Sequence, residues 1–207
     1  MKYYLIVIMF VLTSLSGAQN NLSVYAKGGL NYSAMRNTGY ESAENYNANI
    51  DRFYYSVHLG IKYAINENNR LYINGEITRS KLSHDYGGWG SDHYTFTFYP
   101  VTIGYEYIFI TGSEFKLYTG AGLSYVFRES EVLVLDDQPP ALPFSFRDSG
   151  FGFEMKIGSE YKLDGNLYLL GEINYRLLNN VEALRLMSGV KVNFSGLALS
   201  MGLLFRI

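Results

Sequence analysis

Phe115-Lys116-Leu117-Tyr118-Thr119-Gly120-Ala121-Gly122-Leu123-Ser124-Tyr125-Val126-Phe127-Arg128 alternates without a break. Its odd positions carry no charge, while Lys116 and Arg128 fall on even ones. Side chains of a strand point to opposite faces in turn, so this is a strand with one apolar and one polar face. Residues 22–34, 52–65, 151–163 and 167–177 repeat the pattern. Across the five segments, 34 positions on the apolar face hold no charge and the 31 between them hold 11. The chain is built on a period of two.

Two stretches are less regular. Residues 70–82 place Leu71, Ile73, Gly75 and Ile77 on the apolar side, followed on that side by Arg79 and Lys81. The strand is therefore expected to leave the apolar zone after Ile77. In residues 95–109, Val101, Ile103, Tyr105 and Tyr107 alternate, with Phe96 and Phe98 out of phase. Pro100 sits at the shift, and proline in a sheet favours edges and bulges, so a bulge is expected there. Near the end, Val190, Val192 and Phe194 alternate on even positions, but Leu197 to Ile207 do so on odd ones. A bulge at Ser195-Gly196 gives eight strands in total, whereas a hairpin there gives nine.

The connections alternate in length. Segments 35–51, 83–93, 129–148 and the one from 178 onward are long; 66–69, 110–114 and 164–166 are short. An antiparallel meander with this spacing carries every long loop at one end. An even strand number returns the chain to the end where it began, which favours eight; another pair hidden in 131–146 gives ten. The expected fold is all-β, an antiparallel up-and-down barrel of eight strands, with ten as the alternative.

A barrel can point its apolar face inward, as a soluble calyx does, or outward to lipid. The aromatics separate the two. Tyr32, Phe53, Tyr55, Tyr125, Phe127, Phe151, Phe153 and Tyr175 lie toward the long loops. Tyr63, Tyr105, Tyr107, Phe115, Tyr161 and Phe205 lie toward the short turns, with Val57, Leu59, Leu123, Ile157 and Ile173 between. Two aromatic girdles around an aliphatic band match two membrane interfaces. The barrel is read as transmembrane.

The last segment, Gly196-Leu197-Ala198-Leu199-Ser200-Met201-Gly202-Leu203-Leu204-Phe205-Arg206-Ile207, alternates and finishes near an aromatic. In this the chain resembles the small outer-membrane β-barrel proteins of Gram-negative bacteria (porin-like, OmpX/OmpW-like). The resemblance covers residues 22–207 as architecture and carries no ligand-specific motif. It implies an outer-membrane location, lipid as surroundings, and recognition by the outer-membrane assembly machinery through Leu203, Phe205 and Ile207. The usual signal ends on the aromatic itself; here Phe205 is third from last.

The first eighteen residues are expected to be an address. Lys2 precedes an apolar run from Tyr3 to Leu12, and Ser16 and Ala18 supply the small residues of a cleavage site. Ten apolar residues are too few to span a bilayer, which takes about 20. Residues 1–18 are thus read as a signal peptide and 19–207 as the barrel domain. N-terminal sequencing of protein from an outer-membrane fraction is expected to start at Gln19; a retained leader would defeat this reading.

Composition narrows the function. Charged residues are 17 % of the 207, and 17 basic against 19 acidic side chains leave a net charge of −2. No basic field points to nucleic acid. There is no cysteine, so disulfide and thiolate-metal chemistry are excluded. His58 alternates inward, where a polar lumen can accommodate it. His84-Asp85 and Asp92-His93 bracket Gly87-Gly88-Trp89-Gly90, a spacing that fixes no metal geometry. Ser56-x-His58 by spacing alone does not make a nucleophile and base. No enzyme activity and no cofactor are expected.

What remains is the lumen and the loops. Lys27, Lys62, Arg70, Lys116, Lys156 and Arg176 are expected to face Glu76, Glu106, Glu154, Glu160 and Glu172 inside the barrel. Such charges are costly to bury singly, so they are expected to pair across strands and close the lumen. Inward Gly60, Gly120, Gly122 and Gly158 leave room for a local cavity. Loops 35–51, 83–93 and 129–148 are the expected seat of any extracellular ligand or protein partner, the last stiffened by Pro139, Pro140 and Pro143. The expected role is structural or surface-binding, with a narrow porin or transporter as the alternative and a lipid-modifying enzyme behind both.

Overall fold

The computed structural model describes residues 21–33, 48–50, 53–85, 91–135, 144–178, 181–182, 191–192 and 195–207. Residues 1–18, expected to be a signal peptide, and segment 35–47 lie outside them. Eight long strands form the barrel: β1 Leu22–Ser33, β2 Phe53–Ala64, β3 Asn69–Asp85, β4 Ser91–Thr111, β5 Phe115–Leu135, β6 Phe144–Asp164, β7 Leu167–Leu178 and β8 Gly196–Arg206. Each pairs antiparallel with its neighbours in sequence, and β8 pairs back onto β1 from Ser33↔Gly196 to Ser23↔Arg206. The sheet therefore has no long open edge.

Alternation sets the two faces as the period of two requires. Leu59 and Leu123 are 64 % and 70 % exposed on the outside, whereas His58, Glu106 and Glu160 are fully buried inside. Every apolar position named above from residues 53–65 and 115–127 points away from the lumen. This is the reverse of a soluble protein and is stable only where the outer solvent is apolar.

Strand lengths differ around the barrel. β4, β5 and β6 have 21 residues each and β3 has 17, against 11 or 12 in the other four. A tilted strand crosses a bilayer in about 9–11 residues. One wall thus rises well past the apolar band. Arg79 and Lys81 sit on its outer surface, in keeping with an exit from the apolar zone after Ile77. The wall also corrects two expectations: 83–93 and 129–148 are mostly strand, and only 86–90 and 136–143 remain between the paired ends. The described parts of 131–146 add no further pair of strands. They extend β5 and β6, and the barrel has eight strands rather than ten.

The expected bulge at Pro100 is absent. The β3–β4 register is the same on both sides of it, from Asn69↔Tyr107 to Asp85↔Ser91. Proline has no N–H to give, and the ladder simply lacks the pairs opposite Glu76 and Ile77. Phe96 and Phe98 are in phase with the lumen side and buried, their rings stacked 6.4 Å apart. Above the band the inward face becomes apolar, which reversed the signal. The true register shifts fall at the short-turn end, between Ile108 and Ile110 and between Lys162 and Asp164.

Ser195-Gly196 is not a bulge within one long strand either. Lys191–Val192 pairs with Val181–Glu182 in a separate small ladder, and the last barrel strand begins at Gly196. Eight is the count by a different route.

The glycines expected to open a cavity instead seat tyrosines. A Cβ on Gly60 would lie 2.4 Å from the Tyr25 ring, and one on Gly158 would lie 2.5 Å from Tyr118. Tyr72 lies over Gly104 and Gly122 in the same way. Gly120 is covered by Glu106 Cγ and Lys156 Cε, at 3.0 and 3.1 Å from where its Cβ would be. The lumen is packed at these points, as protein interiors are.

Candidate functional site

The inward charges meet in two clusters. The larger is at mid-height and toward the short turns. Lys27 bonds Glu172, and Lys62 lies 3.2, 3.3 and 3.6 Å from Glu106, Glu160 and Glu172. Lys156 is 2.7 Å from Glu106 and 3.6 Å from Glu172; Arg70 is 2.8 Å from Glu106 and 2.6 Å from Glu160. Tyr118 ties the cluster together: it accepts from Lys62 Nζ at 3.1 Å and donates to Glu172 Oε1 at 2.5 Å. Tyrosine faces supply further partners, with Lys156 Nζ 3.3 Å from the Tyr72 ring centre and Lys62 Nζ 4.2 Å from that of Tyr118.

The second cluster lies nearer the tall wall. Arg176 bridges Glu76 and Glu154, and Thr78 donates to Glu76 Oε1 at 2.6 Å. Of the sequence-named residues, ten belong to these clusters and Lys116 does not; it is half-buried at the short-turn mouth, with no carboxylate within 4 Å among the described residues. Arg206 was missed. It reads as part of the terminal assembly segment, yet its even position points inward, where it donates to Tyr168 at 2.9 Å and Glu160 at 3.2 Å.

Sequence spacing also undervalued Ser56 and His58. Ser56 Oγ is 2.8 Å from His58 Nε2, and His58 Nδ1 is 3.4 Å from Glu76 Oε2 and 3.3 Å from Asn74 Nδ2. A signal for this existed: the short turn after β2 fixes the register that puts His58 opposite Glu76. The order is that of a nucleophile, base and acid. The space is not. All three are buried, and a Cβ on Gly29 would already be 2.7 Å from Ser56 Oγ and 3.3 Å from His58 Nε2. Glu76 is besides committed to Arg176 and Thr78. The trio is a packed hydrogen-bonded group continuous with the second charge cluster through Glu76.

His84 and His93 lie across the β3–β4 hairpin, in register with Asp92 and Ser83 respectively. The pairing is thus fixed in the backbone, where a free loop was expected. Among the described residues no group of three or more potential ligands is placed to hold a metal.

Known structures share this architecture. The outer membrane protein OprG of Pseudomonas aeruginosa is similar over 91 % of this chain and 96 % of its own, with a TM-score of 0.62 at 14 % identity. Neisserial surface protein A is similar over 90 % and 97 %, at 0.54 and 18 % identity. The attachment invasion locus protein Ail of Yersinia pestis covers 91 % and 99 %, at 0.51 and 15 % identity. At such identities the likeness is one of fold. No curated protein matches the sequence. A family match is long enough to settle membership: with residues 5–201 aligned to it, the chain belongs to the outer membrane protein beta-barrel domain family.

Proposed function

We propose that this is a closed barrel that works at the cell surface through its tall wall, not a pore. The observation that carries the reading is the filled lumen. Two ion-pair clusters, the hydrogen-bonded group of Ser56, His58 and Asn74, and the buried Phe96–Phe98 pair occupy the interior. Eight strands enclose a space just wide enough for side chains to fill. The wall formed by β3, β4, β5 and β6 is the exposed part. Its outer surface is of mixed charge, with Arg147 3.1 Å from Glu129, while the inward, buried Arg128 is 2.5 Å from Asp148. A rigid, paired sheet presents such a surface at low ordering cost, which suits binding of a protein or glycan partner.

One observation favours a narrow passage instead. Ser200 Oγ, Ser80 Oγ and both polar atoms of Asn174 are buried without a hydrogen-bond partner among the described residues, as water-lined positions are. Planar-bilayer recording of the refolded monomer at neutral pH separates the readings. The closed barrel is expected to give no steady conductance; reproducible nanosiemens openings would overturn it in favour of the solute passage.

A further inference from the structure

At the short-turn mouth a cavity of about 270 Å³ is lined by Ser23, Asn66, Glu67, Arg70, Lys116 and Arg206, among others. Three of these are cations, and they are short of partners. Arg206 has one carboxylate, Glu160, which Arg70 and Lys62 share, and Arg70 has Glu106 besides. Lys116 has none within 4 Å among the described residues. Glu67 is exposed on the rim.

Arg70 gives a second, independent sign. It is 4 % exposed, yet its Nε makes no hydrogen bond among the described residues. Its Nη2 reaches Glu106 Oε2 at 2.8 Å, but off the N–H direction, as an ion pair only. Buried donors are nearly always paired. A guanidinium with donors to spare, beside two more cations in a polar cavity, calls for an acceptor of several lone pairs.

We propose that this mouth binds an oxyanion of the phosphate class, held by Arg70, Lys116 and Arg206. The three come from β3, β5 and β8 and line one cavity, where a tetrahedral oxyanion can offer each donor an oxygen of its own. The cavity is several times the roughly 30 Å³ share of one water, leaving room for the anion and its solvent. In outer-membrane barrels the short turns face the periplasm. The same chemistry is available there from free phosphate and from the headgroup of an anionic phospholipid.

The test uses the refolded full barrel with its arginine Nε–Hε signals followed by NMR. In the first arm inorganic phosphate is titrated in non-ionic alkyl-glycoside micelles, against chloride at matched ionic strength. In the second, in phosphate-free buffer, nanodiscs of zwitterionic phosphatidylcholine are compared with ones containing anionic phosphatidylglycerol. The Arg70 and Arg206 signals are expected to shift saturably with one of the two probes and not with chloride. A response in the first arm alone assigns free phosphate; a response in the second assigns the lipid headgroup. Lys116→Ala, at a half-exposed position outside the ion pairs, is expected to weaken the response about tenfold, the worth of one charge-assisted hydrogen bond, and Lys116→Arg to restore it. No saturable shift in either arm, the same shift with chloride, or a Lys116→Ala titration identical to the parent overturns the proposal.

Discussion

Glu172→Ala is expected to destabilise the folded barrel by about 3–5 kcal/mol, the penalty for leaving buried charge without its counter-ion. Glu172 is the only carboxylate within 4 Å of Lys27 among the described residues, and it also lies 3.6 Å from Lys62 and from Lys156. It accepts the Tyr118 hydroxyl as well. Its loss leaves Lys27 unpaired and forces Lys62 and Lys156 onto Glu106 and Glu160, which Arg70 already shares. Urea unfolding of the lipid-reconstituted barrel gives the number. A second variant separates charge from packing: adding Lys27→Met to Glu172→Ala is expected to recover part of the loss, since both partners are then gone. A cost under about 1 kcal/mol for Glu172→Ala is what a solvated pair gives. That result would mean water fills the lumen, and the closed-barrel reading would fall with it.

The same residues show what a sequence can reveal of such a site. That charges of both signs face inward is written in the alternation, because only one face of each strand can tolerate them in a bilayer. Which charge meets which is not. Lys27 and Glu172 are 145 residues apart in the chain and lie on β1 and β7, on either side of β8, so their pairing depends on how the barrel closes. His58 and Glu76 are different: one short turn joins their strands, and its length sets them opposite each other. Strand ends fared worst, for a physical reason. Past the apolar band nothing outside demands an apolar face, so residues 83–85 and 129–135 lose the pattern that marks a strand while keeping its hydrogen bonds. Phe96 and Phe98 mislead for the same cause, since an inward aromatic above the band looks like an outward one out of register.

The second large effect comes from the opposite face. Leu59→Arg is expected to cost about 2–4 kcal/mol in folding into bilayers, the range for a cation on the lipid side near the midplane. Leu59 lies midway along β2, outward and 64 % exposed, level with the aliphatic band between the two girdles. Phe53→Arg on the same strand and face, but in the long-loop girdle, is expected to cost only about 0–1 kcal/mol, because an arginine there reaches headgroups and water. The natural chain already tolerates cations at this height and above, with Arg79 and Lys81 on the outer face of β3. The comparison holds strand, facing and substituted residue constant and varies depth alone. A difference between the two variants is therefore a measure of the outer solvent. A soluble barrel would carry Leu59 at a water-exposed position, where arginine costs nearly nothing, and both variants would fold alike. Equal costs in the two unfolding curves would refute the outward, lipid-facing assignment of the apolar face, whatever the lumen holds.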